Sequence, residues 1–273
     1  MTIPKFQKTI LAWYKKNKRD LPWRKTKNPY RIMVSEIMLQ QTQVSRVLPK
    51  YKEFLRAFPD IQTLANCKDA ELLAIWSGLG YWRRARFLKE ACKEILKNHN
   101  GKFPKDIPTL LTLPGIGPYT AGAIACFAFK NTDAFIDTNI RRVYLHFFFA
   151  DKKDIPDSEI LEIAKKSVPK SDPANWHWAL FDYGAMVLKD KKINRNSRHY
   201  AKQSKFTGSF RSYRAKALRF LLAEEKKEVK KEILEDFLED ILRKDERDFS
   251  VEEILASLET DKLIRQVRGV IKI

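Results

Sequence analysis

Apolar residues recur at spacings of three and four along most of this 273-residue chain, and this pattern constrains the fold more than any other feature. Such spacing places apolar side chains on one face of an α-helix, whereas a half-buried strand shows strict alternation. Short connections rich in Gly, Pro and Asn separate the periodic segments. The sequence therefore predicts an all-α fold, with helices before residue 188 over residues 5–16, 31–48, 49–58, 69–76, 83–98, 107–112, 119–129, 138–149, 157–167 and 174–187.

The C-terminal quarter of the chain follows a different pattern. Residues 188–206 are basic and weakly periodic, which predicts a surface loop. Beyond them the sequence predicts helices over 210–223, 226–243 and 250–258, and a hairpin that turns at Arg268-Gly269. Three helices and a hairpin suggest a small winged-helix-like unit over 207–273, for which DNA binding and a packing or protein-contact role are both open.

The positive charge is confined to the first part of the chain. The whole sequence has 53 Lys and Arg against 34 Asp and Glu, a net charge of +19, and residues 207–273 hold 15 of each sign. Residues 1–206 therefore carry the whole excess. A polyanionic partner is the simplest explanation, and an inert basic surface is the alternative.

Other bulk features indicate a protein of a reducing compartment. No run of eighteen apolar residues predicts a membrane span, and the chain begins with an amphipathic pattern rather than a signal peptide. The three cysteines, Cys67, Cys92 and Cys126, lie in helical apolar patterns without disulfide or metal spacing, so we expect buried thiols and no metal site. The expected location is cytoplasmic, without a membrane partner.

Two glycines one residue apart, Gly115 and Gly117, are bounded by prolines and lead into a helix of small residues that opens with Tyr119 and Thr120. Glycine allows the backbone to come close to a ligand, and N–H groups at a helix N-terminus suit a phosphate. Asp137 follows after a short apolar run. The pattern predicts that a nucleic-acid phosphate is held close to a carboxylate.

Glu36 lies on the apolar face of a predicted helix that also carries Leu39 and Gln40. It is either a partly buried glutamate satisfied by a neighbouring donor or a general acid whose pKa is raised by desolvation. The consecutive polar residues Gln40, Gln41 and Thr42 favour function, because amides are poor core residues and good ligands for base edges.

Two further segments allow both a structural and a functional interpretation. Asp137, ahead of Thr-Asn and an apolar-periodic run, is a good helix N-cap, which requires no catalysis. The segment Gly78–Arg86 combines a glycine turn with two aromatic and three arginine side chains. It is either a helix start with a solvated basic face or an aromatic wedge with arginines on phosphates.

Six segments, in this order along the chain, carry a resemblance to a known family. The chain resembles the helix-hairpin-helix DNA glycosylases, and most closely the MutY adenine glycosylases. The matching segments are Leu21-Pro-Trp-Arg24, Ser35-Glu-Ile-Met-Leu-Gln-Gln-Thr-Gln43, Trp76-Ser-Gly-Leu-Gly-Tyr81, Leu113-Pro-Gly-Ile-Gly-Pro-Tyr-Thr-Ala-Gly122, Asp137-Thr-Asn139 and Tyr183-Gly-Ala-Met186.

The resemblance implies a monofunctional glycosylase that removes adenine mispaired with 8-oxoguanine or guanine, after flipping it out of double-stranded DNA. Glu36 would protonate adenine at N7, and Asp137 would stabilise the oxocarbenium-like sugar through its charge or a transient covalent bond. Tyr119 and Asn139 match residues that position the nucleotide and water. Arg24 matches a residue that lines the adenine pocket.

The resemblance also implies the DNA-contacting residues. Gln41 and Tyr81 match residues that insert into the DNA stack. The other residues expected to contact DNA or the base are Leu39, Gln40, Thr42, Arg83, Gly115, Gly117, Tyr119 and Thr120. Bifunctional relatives place a lysine where this chain has Tyr119, to form a Schiff base, so we expect an abasic site rather than a nicked strand.

The chain departs from the family pattern in two respects. Most relatives hold a [4Fe–4S] cluster on four cysteines, but the corresponding positions here are Leu188, Arg195, Arg198 and Ser204, so no iron–sulfur cofactor is expected. Many relatives also add a Nudix-like domain that reads 8-oxoguanine, which residues 207–273 do not resemble. The sequence therefore leaves open how strongly the protein distinguishes 8-oxoguanine from guanine opposite the adenine.

The resemblance implies one lobe over residues 26–131 and a second over 1–25 with 132–206. It also allows a cation on hairpin carbonyls between Leu113 and Pro118, and we expect a monomer. A thymine or uracil mismatch glycosylase on the same scaffold is the nearest alternative. A non-catalytic DNA-damage-binding protein is the alternative from another class.

Overall fold

The computed structural model describes residues 1–202 and 204–273 and confirms the predicted all-α class, with a small sheet at the C-terminal end. None of the helices in these residues combines the length and apolar character needed to cross a bilayer. The helices are α1 (Ile3–Asn17), α2 (Pro29–Leu39), α3 (Val44–Ala57), α4 (Ile61–Asn66), α5 (Asp69–Trp76), α6 (Arg83–Asn98), α7 (Ile107–Leu111), α8 (Pro118–Phe129), α9 (Thr138–Phe148), α10 (Asp157–Ser167), α11 (Pro173–Met186), α12 (Phe210–Ala223), α13 (Lys231–Lys244) and α14 (Val251–Thr260), with 3₁₀ turns at Pro22–Arg24 and Lys191–Asn196.

One compact unit comprises Met1–Ile37 and Lys102–Lys202. Its aromatic core centres on Phe6 of α1, whose ring centroid lies 5.4 Å from those of both Tyr144 in α9 and Trp176 in α11. Helix α8 is buried along most of its length. Its small residues allow this, since a Cβ atom on Gly122 would lie only 2.7 Å from the Cβ of Phe135. Close packing of this kind fixes the direction in which the N-terminus of α8 points.

The second compact unit comprises Met38–Gly101 and Gln203–Ile273. Helices α3 to α6 enclose a core in which the ring of Phe54 contacts Phe58 and Trp76 at 5.0 and 5.9 Å. The C-terminal part adds α12 to α14 and an antiparallel sheet of β1 (Glu228–Lys230), β2 (Arg265–Val267) and β3 (Val270–Lys272), in the order β1-β3-β2. The turn at Arg268-Gly269 has positive φ at both residues, 49° and 77°, as a two-residue hairpin turn requires. The winged-helix-like arrangement predicted for 207–273 is therefore present.

The compact units do not follow the predicted domain boundaries. The expected lobe 26–131 is divided, because α7 and α8 belong to the unit that contains α9 and α11. Helix α11 packs on α8, where Trp178 stacks on Phe127, and Phe135, just before α9, packs on Gly122 of α8; these contacts explain the grouping. Sequence periodicity reveals buried faces but not which two faces meet.

Three secondary-structure predictions were wrong. The helix predicted over 31–48 is two helices, because the chain turns at Gln41, whose φ is 54°. Pro49, the first residue of the helix predicted over 49–58, lies inside α3. The helix predicted over 226–243 begins at Lys231, because β1 occupies the residues before it. The short helix α4 was not predicted.

The segment predicted as a loop over 188–206 is partly ordered as a 3₁₀ turn. The side chain of Arg142 in α9, which is 5% exposed, forms hydrogen bonds to the first part of this segment. The Nη1 atom donates to the carbonyl oxygens of Gly184 and Leu188, at 2.8 and 3.2 Å, and Nε donates to Asn194 Oδ1 at 3.3 Å. A buried guanidinium with several acceptors thus holds the start of the segment in place.

Candidate active site

A carboxyl group and a phenol, both carried by rigid helices, form the centre of the site. Glu36 lies on α2 and is 4% exposed, and the hydroxyl of Tyr119, in the first turn of α8, donates a short hydrogen bond to Glu36 Oε2. Burial raises the pKa of Glu36 to about 7, and the nearby charge of Asp137 adds to the increase. The hydrogen bond from Tyr119 and the charge of Arg24 act in the opposite direction. Glu36 therefore holds a proton close to neutral pH and can act as an acid.

The second carboxylate, Asp137, is the N-cap of α9, as one of its two interpretations predicted. Its Oδ1 accepts hydrogen bonds from the backbone N–H groups of Asn139 and Ile140, at 2.9 and 2.7 Å, and its Oδ2 accepts from Asn139 Nδ2 at 3.0 Å. Burial raises the pKa of Asp137, whereas these N–H donors lower it. Capping does not exclude catalysis, because a capped carboxylate is held in one orientation beside a helix N-terminus.

The Tyr183-Gly-Ala-Met segment has a structural role beneath this carboxylate. A Cβ atom on Gly184 would lie 2.4 Å from the backbone oxygen of Asn139. Only glycine allows α11 to approach the start of α9 this closely. The segment therefore fixes the helix end on which Asp137 and Asn139 lie.

Arg24 forms an ion pair with Asp182, a carboxylate that was not predicted from the sequence. Its Nη1 and Nη2 atoms each donate to the carboxylate of Asp182 at 2.8 Å, and Arg19 Nε donates to the same group at 2.6 Å. The side chain of Asp182 is fully buried, and Arg24 is 8% exposed. Two arginine partners and the backbone N–H of Arg19 overcome the effect of burial and lower the pKa of Asp182. The bidentate pair fixes the position of Arg24.

The glycine turn between α7 and α8 has the geometry expected of an anion site. Asp106 caps α7, and Gly115 adopts a φ of 74°. Gly117 is the N-cap of α8, and a Cβ atom there would meet no atom within 4 Å, so packing does not explain that glycine. Thr120 is buried inside α8. The turn leads directly into a helix N-terminus, where backbone N–H groups can bind a phosphate.

The segments around Gln41 and Tyr81, which are predicted to insert into the DNA stack, both lie in the second compact unit. Hydrogen bonds from Arg84 connect them. Its Nη1 donates to the carbonyl oxygen of Met38 at 2.9 Å and to that of Gln40, and its Nη2 donates to Thr42 Oγ1 at 3.0 Å. Nη2 also donates to the carbonyl oxygens of Leu79 and Gly80. Burial lowers the pKa of Arg84 to about 10. One guanidinium thus fixes the turn after α2 and the glycine turn before α6 relative to each other.

The sequence analysis missed this role of Arg84. A signal was available, since Arg84 falls on the same helical face as Leu88 and Ile95, whereas Arg83 does not. Leu39 and Gln40 are half-buried and Gln41 is exposed. Exposed Arg83, predicted to contact phosphate, lies 3.5 Å from the carboxylate of Asp261.

The residues that replace the iron–sulfur ligands do not fit a cluster. The corresponding positions hold Leu188, Arg195, Arg198 and Ser204, and the sequence has no cysteine after Cys126. Cluster ligation requires cysteine thiolates. Among the described residues, no group of three or more His, Cys, Asp or Glu side chains is arranged to hold a metal ion.

Comparisons with known proteins show which family the chain is similar to. Residues 34–170 match the HhH-GPD superfamily base excision DNA repair protein family. The adenine DNA glycosylase of Buchnera aphidicola subsp. Baizongia pistaciae is 39% identical over 192 residues, which cover 68% of this chain and 54% of that protein. The adenine DNA glycosylase of Mycobacterium tuberculosis is 47% identical over 135 residues, which cover 49% of this chain and 44% of that protein. The chain thus spans about half the length of these curated relatives.

A solved structure of a thermostable thymine-DNA glycosylase is also similar. It superposes with a TM-score of 0.63 at 28% identity, and the match covers 67% of this chain and 86% of that one.

Proposed function

We propose that this chain, which belongs to the HhH-GPD superfamily of base excision DNA repair proteins, removes mispaired adenine from duplex DNA by hydrolysing its N-glycosidic bond. The observation that carries the proposal is the buried Glu36 carboxyl, with a pKa near 7, hydrogen-bonded to Tyr119. The relatives from Buchnera and Mycobacterium are adenine DNA glycosylases, which supports adenine as the base. The duplex carries the adenine opposite 8-oxoguanine or guanine, and the protein acts as a monomer.

Glu36 is the general acid of the proposed reaction. Its proton moves to N7 of the flipped adenine, and the electron pair of the C1′–N9 bond leaves with the base. Because the base departs as a neutral molecule, the bond breaks more readily than it would to expel an anion. Burial keeps part of the Glu36 carboxyl protonated at neutral pH. The hydrogen bond from the Tyr119 hydroxyl holds the carboxyl in one position.

Asp137 stabilises the positive charge that develops on the sugar. Its orientation is set by the N–H groups of Asn139 and Ile140, so no reorganisation is needed when the charge forms. Water then adds to C1′, and its proton leaves to solvent or to the Glu36 carboxylate, which restores the acid. Asn139 and Tyr119 position the nucleotide and the water. One carboxyl group thus acts as the acid and the other stabilises the positive charge on the sugar, as in glycoside hydrolysis.

The product of this chemistry is an abasic site. A lyase step requires an amine that attacks C1′ and forms a Schiff base. Tyr119 occupies the position where the bifunctional relatives carry that lysine, and its own hydroxyl is engaged with Glu36. The strand is therefore expected to break only after treatment with alkali.

DNA is held by the basic part of the chain, residues 1–206. The glycine turn at Gly115 and Gly117 binds a phosphate, and the segments around Gln41 and Tyr81 enter the base stack. No iron–sulfur cluster takes part, and the basic segment after Met186 meets phosphates without one.

The proposal is tested on duplexes that contain A:8-oxoguanine, A:G, T:G or U:G, with strand breaks measured with and without alkali. Wild type and Glu36→Gln are compared. Alkali-dependent cleavage at adenine that the substitution abolishes is the expected result. Cleavage confined to T:G or U:G would instead establish a pyrimidine mismatch glycosylase, the activity named for the similar solved structure. Binding without cleavage of any duplex would indicate a non-catalytic DNA-damage-binding protein.

A further inference from the structure

The C-terminal residues 204–273 pack against the helices that carry the predicted wedge. Helix α12 packs on α5, and Arg86 of α6 donates a hydrogen bond to the carbonyl oxygen of Lys262. Asp261, whose side chain is 13% exposed, forms ion pairs with both Arg83 of α6 and Arg214 of α12. These contacts join the C-terminal part to the first turn of α6.

Arg211, in the first turn of α12, extends from this junction to Tyr81. Its Nη1 donates a short hydrogen bond to the Tyr81 hydroxyl, and its Cζ lies 5.3 Å from the ring centroid. Its Nη2 donates to both the backbone oxygen and Oγ of Ser204, each at 3.1 Å. Ser204 therefore orients the guanidinium, and the guanidinium in turn contacts the end of the phenol.

Tyr81 occupies a backbone conformation that needs support. Its φ of 47° lies in the left-handed region, which is unfavourable for a bulky residue. The backbone N–H of Arg84 donates a hydrogen bond of 2.9 Å to the carbonyl oxygen of Tyr81. Arg84 Cζ also lies 5.4 Å from the ring centroid. Arg84 thus fixes the base of the side chain, and Arg211 fixes its tip.

We propose that Arg211 is a positioning residue for Tyr81, and that the C-terminal part of the chain serves to hold this wedge ready for insertion at a mispair. The proposal rests on the proposed function, in which Tyr81 enters the DNA stack. A side chain already ordered in its bound conformation loses less entropy on binding. Because the wedge acts where a base has left the stack, Arg211 contributes to recognition of the damaged site more than to binding of paired DNA.

The test measures Kd for two short duplexes of equal length. One holds a tetrahydrofuran abasic analogue opposite guanine and the other is fully paired, so binding is measured whether or not the protein removes a base. The variants are Arg211→Met, Arg211→Lys, Tyr81→Phe and the double variant Tyr81→Phe with Arg211→Met. Arg219→Met is the control for loss of one charge, because Arg219 is exposed on the same helix. Thermal unfolding establishes that each variant is folded.

The proposal predicts that Arg211→Met lowers the preference for the abasic duplex by about fivefold, the effect of one lost hydrogen bond. Tyr81→Phe gives a similar loss, the double variant gives no further loss, and Arg211→Lys is closer to wild type. Arg219→Met weakens binding of both duplexes by the same factor. An equal change on both duplexes for Arg211→Met, a gain in preference, or multiplying effects in the double variant would overturn the proposal. Adenine removal that fails while this pattern holds would refute the proposed function alone.

Discussion

Glu36→Gln is expected to abolish base removal and, above neutral pH, to stabilise the folded protein. Glu36 is 4% exposed, and burial is the main reason that its pKa rises from 4.5 to about 7. Above this pKa the native protein must carry a buried charge that the unfolded chain leaves in water. Glutamine keeps the shape and can still accept the hydrogen bond from Tyr119, but it carries no charge at any pH.

The magnitude follows from the difference between the folded and unfolded pKa values. Each pKa unit corresponds to about 1.4 kcal/mol, so the increase from 4.5 to about 7 amounts to about 3 kcal/mol. The folded state binds the proton more tightly, so the stability due to this group is fully present below pH 4.5 and is lost as pH rises through about 7. The advantage of Glu36→Gln over wild type therefore grows across that interval.

The measurement is urea unfolding of both proteins at a series of pH values between about 4 and 9. The difference in the free energy of unfolding isolates Glu36, because all other titrating groups are shared. Glu239→Gln, a substitution of an exposed glutamate in α13, is the control for the loss of one surface carboxyl group. A pH-independent difference for Glu36→Gln would refute the inference that burial keeps Glu36 protonated.

Other outcomes test separate parts of the structure. The single-turnover rate of base removal is expected to fall about tenfold per pH unit above the Glu36 pKa, and a rate that stays constant in that range would contradict the acid role. Asp182→Asn is expected to destabilise the protein by about 3–5 kcal/mol in urea unfolding, because it leaves Arg24 without its buried partner; a loss near zero would contradict this. Burial lowers the pKa of His177 from 6.5 to about 4, so the stability of wild type relative to His177→Leu should fall by about 3 kcal/mol as pH falls through that range; a difference that does not change with pH would contradict this. Metal analysis of the purified protein is expected to find no iron, and stoichiometric iron would contradict the assignment of the segment after Met186.

Most of the helices could be predicted from the sequence. Strong periodicity located α5, α6, α9 and α10 almost to the residue, since long buried faces leave a clear pattern. The break at Gln41 was not predicted, because the residues around it continue a helical pattern. The guanidinium of Arg84 donates to the carbonyl oxygens of Met38 and Gln40 at this break, and local propensity contains no information about a partner so distant in the chain.

The electrostatics of the site could be predicted only in direction. The sequence allowed either a glutamate satisfied by a neighbouring donor or a raised pKa at Glu36; in the structure Tyr119 donates to Glu36, and burial raises its pKa. Its partner Tyr119 and the buried Asp182 beneath Arg24 depend on how α8 and α11 pack. The contact of Arg211 with Tyr81 joins residues 130 positions apart and has no sequence signature. Such long-range pairs are set by tertiary packing, which periodicity does not specify.

The most direct test of the account is the amount of free adenine released from an A:G duplex under single-turnover conditions by wild type, Glu36→Gln and Asp137→Asn. The account predicts release by wild type and at least about a hundredfold slower release by each variant, with DNA binding retained. Release by Glu36→Gln at the wild-type rate would contradict it, because the buried carboxyl would then not be the acid that expels the base.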